Sequence, residues 1–282
     1  MIAVKTRGDH DRRPFGAIGG KGLFVAEVER AVADGAADLA VHSAKDLTAD
    51  LAKGCAILAV PPRAPAHDVV VGGSAASGAE RLDALAPGSQ VGTSSTRRRA
   101  LLAETRPDLE AVEFRGNLDT RLRNVRDGVV PAAIVAAAGL ARLEVDDQGA
   151  ALDPDWWIPA PGQGALAIEG LAGRADLAEL LRPLDDEASA SELACERAFS
   201  ARLEGGCSIP IGCLARSNGG RLVVTGYLGS PGGDRGLRDR ISGPADSASD
   251  IGRELAEAIL GAGGDEILEE LRDAELTQPS EP

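Results

Sequence analysis

The sequence predicts an α/β protein closed by a small α+β segment, and three observations carry that reading. Short apolar strands alternate with helical stretches from Ala37 to Arg142, the pattern of a parallel sheet covered by helices. Pro61-Pro62-Arg63-Ala64-Pro65 and the Pro/Gly-rich stretch Trp156–Gly164 read as an outgoing and a returning crossover between domains. Later, Cys213–Arg216 and Leu222–Leu228 alternate about a Gly219-Gly220 turn as an antiparallel pair, with helices around them. A chain of 282 residues accommodates two or three domains.

Composition narrows the function classes. Ala, Gly, Leu and Val dominate and aromatics make up 2%, so the cores are aliphatic. A formal charge of −14 opposes general affinity for nucleic acid, and scarce aromatics leave few platforms for stacked bases. Cys55, Cys195, Cys207 and Cys213 form no C-x-x-C pair, and His10, His42 and His67 are scattered, so no metal site is predicted. Met1 is not followed by the apolar core of a signal peptide, and no run is long enough to span a membrane. The expectation is a soluble protein of a reducing cytoplasm, with a small molecule rather than nucleic acid or membrane as partner.

Met1–Lys5 reads as a short strand and Arg7–Arg13 as a charged loop. Gly19-Gly20-Lys21-Gly22 leads into a helix whose Phe24, Val25, Val28, Ala31 and Val32 share one face. Such a loop can hold an anion on backbone N–H groups, but the P-loop spacing is absent, and taken alone it is weak evidence beside an ordinary loop with a solvated lysine. Ala37–Val41 is a strand that runs directly into His42-Ser43-Ala44-Lys45-Asp46. Taken alone, adjacent Lys45 and Asp46 read as a solvated pair. Ala56–Val60 and Asp68–Gly72 are two further strands joined by the outgoing crossover.

Gln90–Gly92 ends a strand; Thr93, Ser94, Ser95 and Thr96 follow, and a helix opens on Arg97, Arg98 and Arg99. Cations in a first helical turn oppose the macrodipole, which calls for an anion nearby or for full solvation. The pattern repeats: strand Ala111–Phe114 ends in Arg115, and Asn117 caps a helix over Leu118–Asp127 that carries Arg121. Strand Ala132–Ala136 precedes Gly139-Leu140-Ala141-Arg142. In parallel sheets ligands gather beyond the carboxyl ends of the strands. Those ends here carry Ser43, Lys45, Thr93, Ser94, Ser95, Arg97, Arg98, Arg115 and Arg142, an edge suited to a small ligand with several carboxylates or phosphates. Asp46 is the lone carboxylate in that series. It is expected to stay ionised and to stabilise a positive intermediate.

Helices follow over Arg174–Leu184 and Glu187–Leu203, the second ending at Gly205-Gly206-Cys207. A thiol on so sharp a loop is either a small buried hydrophobe or a group displayed for chemistry. Ile251–Leu260 and Asp265–Leu276 are closing helices, and the tail from Thr277 is polar.

Seven strings occur together in order: G-G-K-G-L-F from Gly19, V-H-S-A-K-D-L from Val41, G-T-S-S-T-R-R from Gly92, F-R-G-N-L-D-T-R-L from Phe114, A-A-G-L-A-R-L from Ala137, G-Q-G-A-L from Gly162 and E-R-A-F-S-A-R-L-E-G-G-C-S-I-P-I-G from Glu196. With these the chain resembles the porphobilinogen deaminase (hydroxymethylbilane synthase) family over nearly its whole length. The resemblance implies two α/β domains like those of periplasmic binding proteins, residues 1–64 with 163–184 and residues 65–162. A small α+β domain, 185–282, would carry the cofactor cysteine. It implies a transferase of tetrapyrrole (porphyrin, heme) biosynthesis that deaminates four porphobilinogen molecules and joins them into hydroxymethylbilane. The joining would take place on a dipyrromethane cofactor bound through a thioether to Cys207. Carried over residue by residue, Asp46 would be catalytic. Ser43, Lys45, Thr93, Ser95, Arg97, Arg98 and Arg121 would hold the cofactor. Arg115, Arg142, Lys21 and Gln163 would serve the substrate. The family likeness further implies a monomer without a metal.

The chain departs from the family pattern at its start. It begins just before T-R-G-D at Thr6–Asp9, where the family usually has a preceding strand and a helix with an R-x-S-x-L-A-like segment. The expectation is a first domain lacking that strand and helix. Thr48 stands where proline is usual and Thr96 where leucine is common. The alternative is a non-catalytic or inactive two-lobed binding protein for polycarboxylate ligands. Cys207 in its loop, with Asp46 beside Lys45, favours the enzyme.

Overall fold

Apolar runs of the sequence become three sheets. The computed structural model describes Val4, Thr6 and residues 25–145, 149–204, 209–230 and 232–277. The strand at Met1–Lys5 apart from Val4, the Arg7–Arg13 loop, the Gly19–Gly22 turn, the Gly205-Gly206-Cys207 loop and the tail beyond Thr277 lie outside the described residues. Helix α1 (Ala26–Ala33) precedes β1 (Leu39–Ser43), a 3-10 turn over Ala44–Asp46 and β2 (Cys55–Ala59). The outgoing crossover reaches β3 (Asp68–Val71), α2 (Gly78–Asp83), β4 (Gln90–Gly92), α3 (Thr96–Thr105) and β5 (Glu110–Val112). Then come α4 (Leu118–Arg126), β6 (Ala132–Ala136), α5 (Ala137–Arg142) and β7 (Ala150–Ala151). The chain returns to β8 (Leu166–Leu171), α6 (Ala175–Leu181) and α7 (Glu187–Arg202). It closes with β9 (Ile211–Asn218), β10 (Arg221–Gly229), β11 (Gly236–Pro244), α8 (Ala248–Ile259) and α9 (Asp265–Thr277).

Helix starts follow side-chain chemistry. Asn117 accepts from the Thr120 N–H at 2.9 Å, and Asp186 accepts from the Ser189 N–H at 2.8 Å, so each caps the helix after it. Ser77 and Glu80 form a reciprocal capping box on α2, a helix not foreseen above.

The expected parallel sheet is corrected in part. Only β4 with β5 and β4 with β6 pair in parallel among the described strands. The second sheet has the order β5-β4-β6-β3-β7, and β3 runs antiparallel to both neighbours. In the first sheet, β8 lies between β1 and β2 and is antiparallel to each. The reason is connectivity. Strand–helix–strand units yield parallel neighbours only from β4 to β6, while β3 and β8 enter their sheets from the crossovers. β3 is buried throughout, which explains its D-V-V-V run.

The third sheet, β11-β10-β9, is antiparallel throughout and packs on α7 and α8 through Phe199, Val224, Leu255 and Ile259. It also packs against the second sheet and α3. Leu214 and Tyr227 enter the core beneath α3, and Arg238 lies 4.7 Å over the Tyr227 ring while pairing with Glu104 of α3 at 2.6 and 2.8 Å.

The crossovers leave and enter at one edge of the first sheet, and they touch. The Ala64 N–H donates to the Gly164 carbonyl at 3.2 Å. A side chain on Gly164 (φ +87) would meet the Ala64 carbonyl oxygen at 2.3 Å, and one on Gly162 (φ +75) would meet the Lys45 nitrogen at 2.9 Å. Glycine at both positions lets the return segment press against the outgoing one and against the turn that bears Lys45 and Asp46.

Candidate functional site

The strand ends converge as the strand-end argument requires, with one unexpected member. β1 delivers Ser43, Lys45 and Asp46; β4 delivers Thr93 to Arg98; β5 delivers Arg115. Because β3 is antiparallel to β6, with Asp68 opposite Ala136, the start of β3 lies at the same edge. That start is Asp68.

Asp68 is the hub of the site. It is fully buried, and its carboxylate accepts from Arg97 at 2.8 Å, Arg98 at 2.7 Å, the Gln163 amide at 2.8 Å and Trp157 Nε1 at 3.0 Å. Burial alone would raise such a carboxyl. The two guanidinium charges and the hydrogen bonds from Arg98 and Gln163 outweigh it and hold Asp68 well below the usual carboxylate range. The anion that the arginine-rich first turn of α3 calls for is therefore the protein's own. Arg99 is likewise answered, by Glu113 at 3.1 Å.

Arg97 and Arg98 are correspondingly not open cations at the sheet edge. They are 3% and 6% exposed, and their other donors go to the carbonyls of Ile158 at 2.8 Å and Ile134 at 3.0 Å. The Nε of each is buried without a hydrogen-bond partner. Gln163 is also inside, at 1% exposure, with its amide committed to Ala66 at 2.6 Å, to Asp68, and to Arg98 at 3.5 Å. Its side chain joins the return crossover to the arginine pair.

Lys45 and Asp46 differ from this hub. Both side chains reach solvent, yet protein crowds them on most sides. Burial lowers Lys45, and Asp46, Arg98, Asp68 and Arg97 are the charges it feels. Burial raises Asp46, against the pull of Lys45 and His42. Asp46 is thus pulled toward its neutral form by desolvation and toward its charged form by the neighbouring cations, with desolvation the larger effect.

The hydroxyl run builds the loop. Thr93 is buried, and its Oγ1 accepts from the Ser95 N–H at 3.3 Å. Ser94 Oγ accepts from the Phe114 N–H at 3.1 Å, and Ser95 Oγ caps α3 by accepting from the Arg98 N–H at 3.4 Å. Each hydroxyl keeps its own hydrogen to donate. Ser43 is half-buried at the end of β1. Arg121, half-buried, donates to the Gly116 carbonyl at 3.0 Å; burial lowers it, with Arg98 and Arg115 adding to the effect. Arg115 donates to Glu113 at 2.9 Å, and the exposed Arg142 donates to the Gly164 carbonyl at 2.9 Å. Lys21 and Cys207 lie outside the described residues.

Sequence reasoning missed Asp68, Trp157 and a second hub on the far side of Gln163. Arg63 of the outgoing crossover donates to the Gln163 carbonyl at 3.0 and 2.9 Å, to Glu196 at 2.7 and 2.9 Å and to Glu192 at 3.2 Å. Glu196, fully buried on α7, also accepts from the N–H groups of Gly162 at 2.6 Å and Ala215 at 2.8 Å. One arginine thus ties both crossovers to the third sheet. An arginine inside a Pro-rich crossover was the available signal.

Three cations, Lys45, Arg97 and Arg98, share one field with two carboxylates, Asp46 and Asp68. Arg115, Arg121 and Arg142 add guanidiniums at or near the surface. Such a donor set suits a ligand bearing several carboxylates, held by charge-assisted hydrogen bonds.

Comparison with known proteins points the same way. A family model described as "Porphobilinogen deaminase, dipyromethane cofactor binding domain" matches residues 1–179. A second, "Porphobilinogen deaminase, C-terminal domain", matches residues 190–261. A porphobilinogen deaminase of Roseiflexus castenholzii is 45% identical over 267 residues, covering 94% of this chain and 86% of that one. One from Syntrophus aciditrophicus is 41% identical over 277 residues, covering 98% and 89%.

Proposed function

The chain belongs to the porphobilinogen deaminase family, and from that premise we propose how its residues carry out the transferase reaction. It deaminates porphobilinogen and joins four molecules into hydroxymethylbilane in tetrapyrrole biosynthesis. The observation that carries the reading is the Lys45–Asp46 turn at the edge where the cations of the second sheet gather. The donor set and the buried, unpartnered Nε atoms of Arg97 and Arg98 fit a carboxylate-rich dipyrromethane.

When bound through a thioether to Cys207, that group supplies the pyrrole carbon to which units are joined. Lys45 and Arg121, with hydroxyl donors from Ser43, Thr93 and Ser95, hold its acetate and propionate groups, and Arg97 and Arg98 add positive field from beneath. Arg115 and Arg142 orient the carboxylates of the incoming porphobilinogen, with Lys21 supplied from the Gly-rich loop. As ammonia leaves, positive charge develops on the substrate's ring nitrogen. Asp46 stabilises that charge and moves a proton at its carboxylate oxygen. Its raised pKa suits it to exchange that proton.

The division into residues 1–64 with 163–184, 65–162 and 185–282, the monomeric state and the cytoplasmic setting belong to this reading. Among the described residues no helix is long and apolar enough to cross a membrane. The test is intact-protein mass of the chain with and without Cys207→Ala. We expect an addition equal to two deaminated porphobilinogen units, absent from the variant. An unmodified parent mass, or an addition that survives the substitution, refutes the assignment.

A further inference from the structure

Asp68 has no part in the chemistry above, yet its surroundings are too elaborate for a residue that only fills space. Buried ion pairs of this kind add little stability over a well-packed apolar cluster. The charge balance points elsewhere. Three cations stand with two carboxylates in one field, of which Arg97, Arg98 and Asp68 are buried while Lys45 and Asp46 reach solvent, and Asp68 is the carboxylate within hydrogen-bond reach of both arginines. Without Asp68 the guanidiniums would face each other and Lys45 uncompensated. With it, the pair of arginines on Asp68 keeps one positive charge in excess. The placement also matters: Asp68 ends the outgoing crossover, and Gln163, bonded to Asp68 and Arg98, sits on the return crossover. The arginine pair is therefore anchored on both connections between the first two sheets.

We propose that Asp68 is a positioning residue, the internal counter-ion that fixes Arg97 and Arg98 on the two crossovers and leaves the pair one positive charge in excess, which a ligand carboxylate completes. This rests on the carboxylate-binding reading above. It acts through the arginines and touches no reacting atom.

The test uses the full chain without its covalent group, as Cys207→Ala, with and without Asp68→Asn. Melting temperatures are compared in sodium succinate and sodium chloride at matched ionic strength. In chloride, Asp68→Asn is expected to melt about 10 °C lower. Succinate, a dicarboxylate that can replace the lost charge, is expected to restore more than half of that loss while shifting the parent little. An equal loss in both salts overturns the proposal, since a hydrogen-bonding role alone is indifferent to the anion. If Asp68→Asn fails to fold in either salt, Asp68→Asn/Arg97→Gln decides. Removing one charge of each sign is expected to restore folding, and a double variant that stays unfolded overturns the proposal. The succinate response is read without the covalent group, so it stands or falls independently of the mass measurement at Cys207.

Discussion

Asp46 and Asp68 share one field of cations and are driven in opposite directions. At Asp46 burial prevails over Lys45 and His42, and the carboxyl is raised. At Asp68 burial is stronger still, yet two guanidiniums and two neutral donors reverse it. Direct contact, not general neighbourhood, makes the difference. A carboxylate locked to its donors keeps its charge and builds the site; one that feels cations mainly at a distance can trade its proton.

The comparison breaks most visibly at Asp46. Asp46→Asn is expected to lower turnover by about 100- to 10,000-fold, the range for loss of a proton-transfer group. Its melting temperature should not fall, because the amide removes a charge that burial disfavours. Steady-state rates beside thermal melts check this, and full turnover in the variant would end the catalytic assignment.

Arg63 supplies the contrasting case, one guanidinium serving two carboxylates instead of one carboxylate serving two guanidiniums. Arg63→Ala strands the buried Glu196 charge and is expected to cost about 3–5 kcal/mol by urea denaturation. A loss under about 1 kcal/mol would show that water or neighbouring donors replace it.

The smallest effect is in pH dependence, where the two aspartates have opposite signs. Asp68 is depressed in the folded state, so its stabilisation is complete above the ordinary carboxylate range and is lost as pH falls toward its folded value. Asp46 is raised, so its contribution is present below that range and is lost as pH rises through its folded value. Melts across the acid range should show the difference between parent and Asp68→Asn constant above about pH 4 and shrinking below it. The difference between parent and Asp46→Asn should move the other way, with the parent losing ground as pH rises. Parallel curves for both variants would refute the opposed environments.

Much of this arrangement was legible in the residues, and what was not shares one cause. The three arginines opening α3 left an anion and full solvation equally open, and the structure answers with an anion. That the anion is Asp68, on another strand of the same sheet, depends on the antiparallel entry of β3, and D-V-V-V reads only as a buried strand. The bonds of Gln163 within the protein could not be read from the Gly-rich return, because its partners lie on the other crossover, β3 and α3. The alternation of strands and helices was reliable from β4 to β6, where each connection is local. It failed for β3 and β8, whose directions are set by chain segments that cross between sheets. β11, with Arg238, Asp239 and Arg240 in its middle, is too charged to stand out by hydrophobic alternation. Its pairing with β10 supplies what its own sequence does not signal.

The touching crossovers make the link between the first two sheets a double one. A lone connecting segment can swivel about every bond it contains. Two segments tied at Ala64 and Gly164 and pressed close by glycine move less independently than either would alone. Arg142, fastened to the Gly164 carbonyl, sits where the two segments meet.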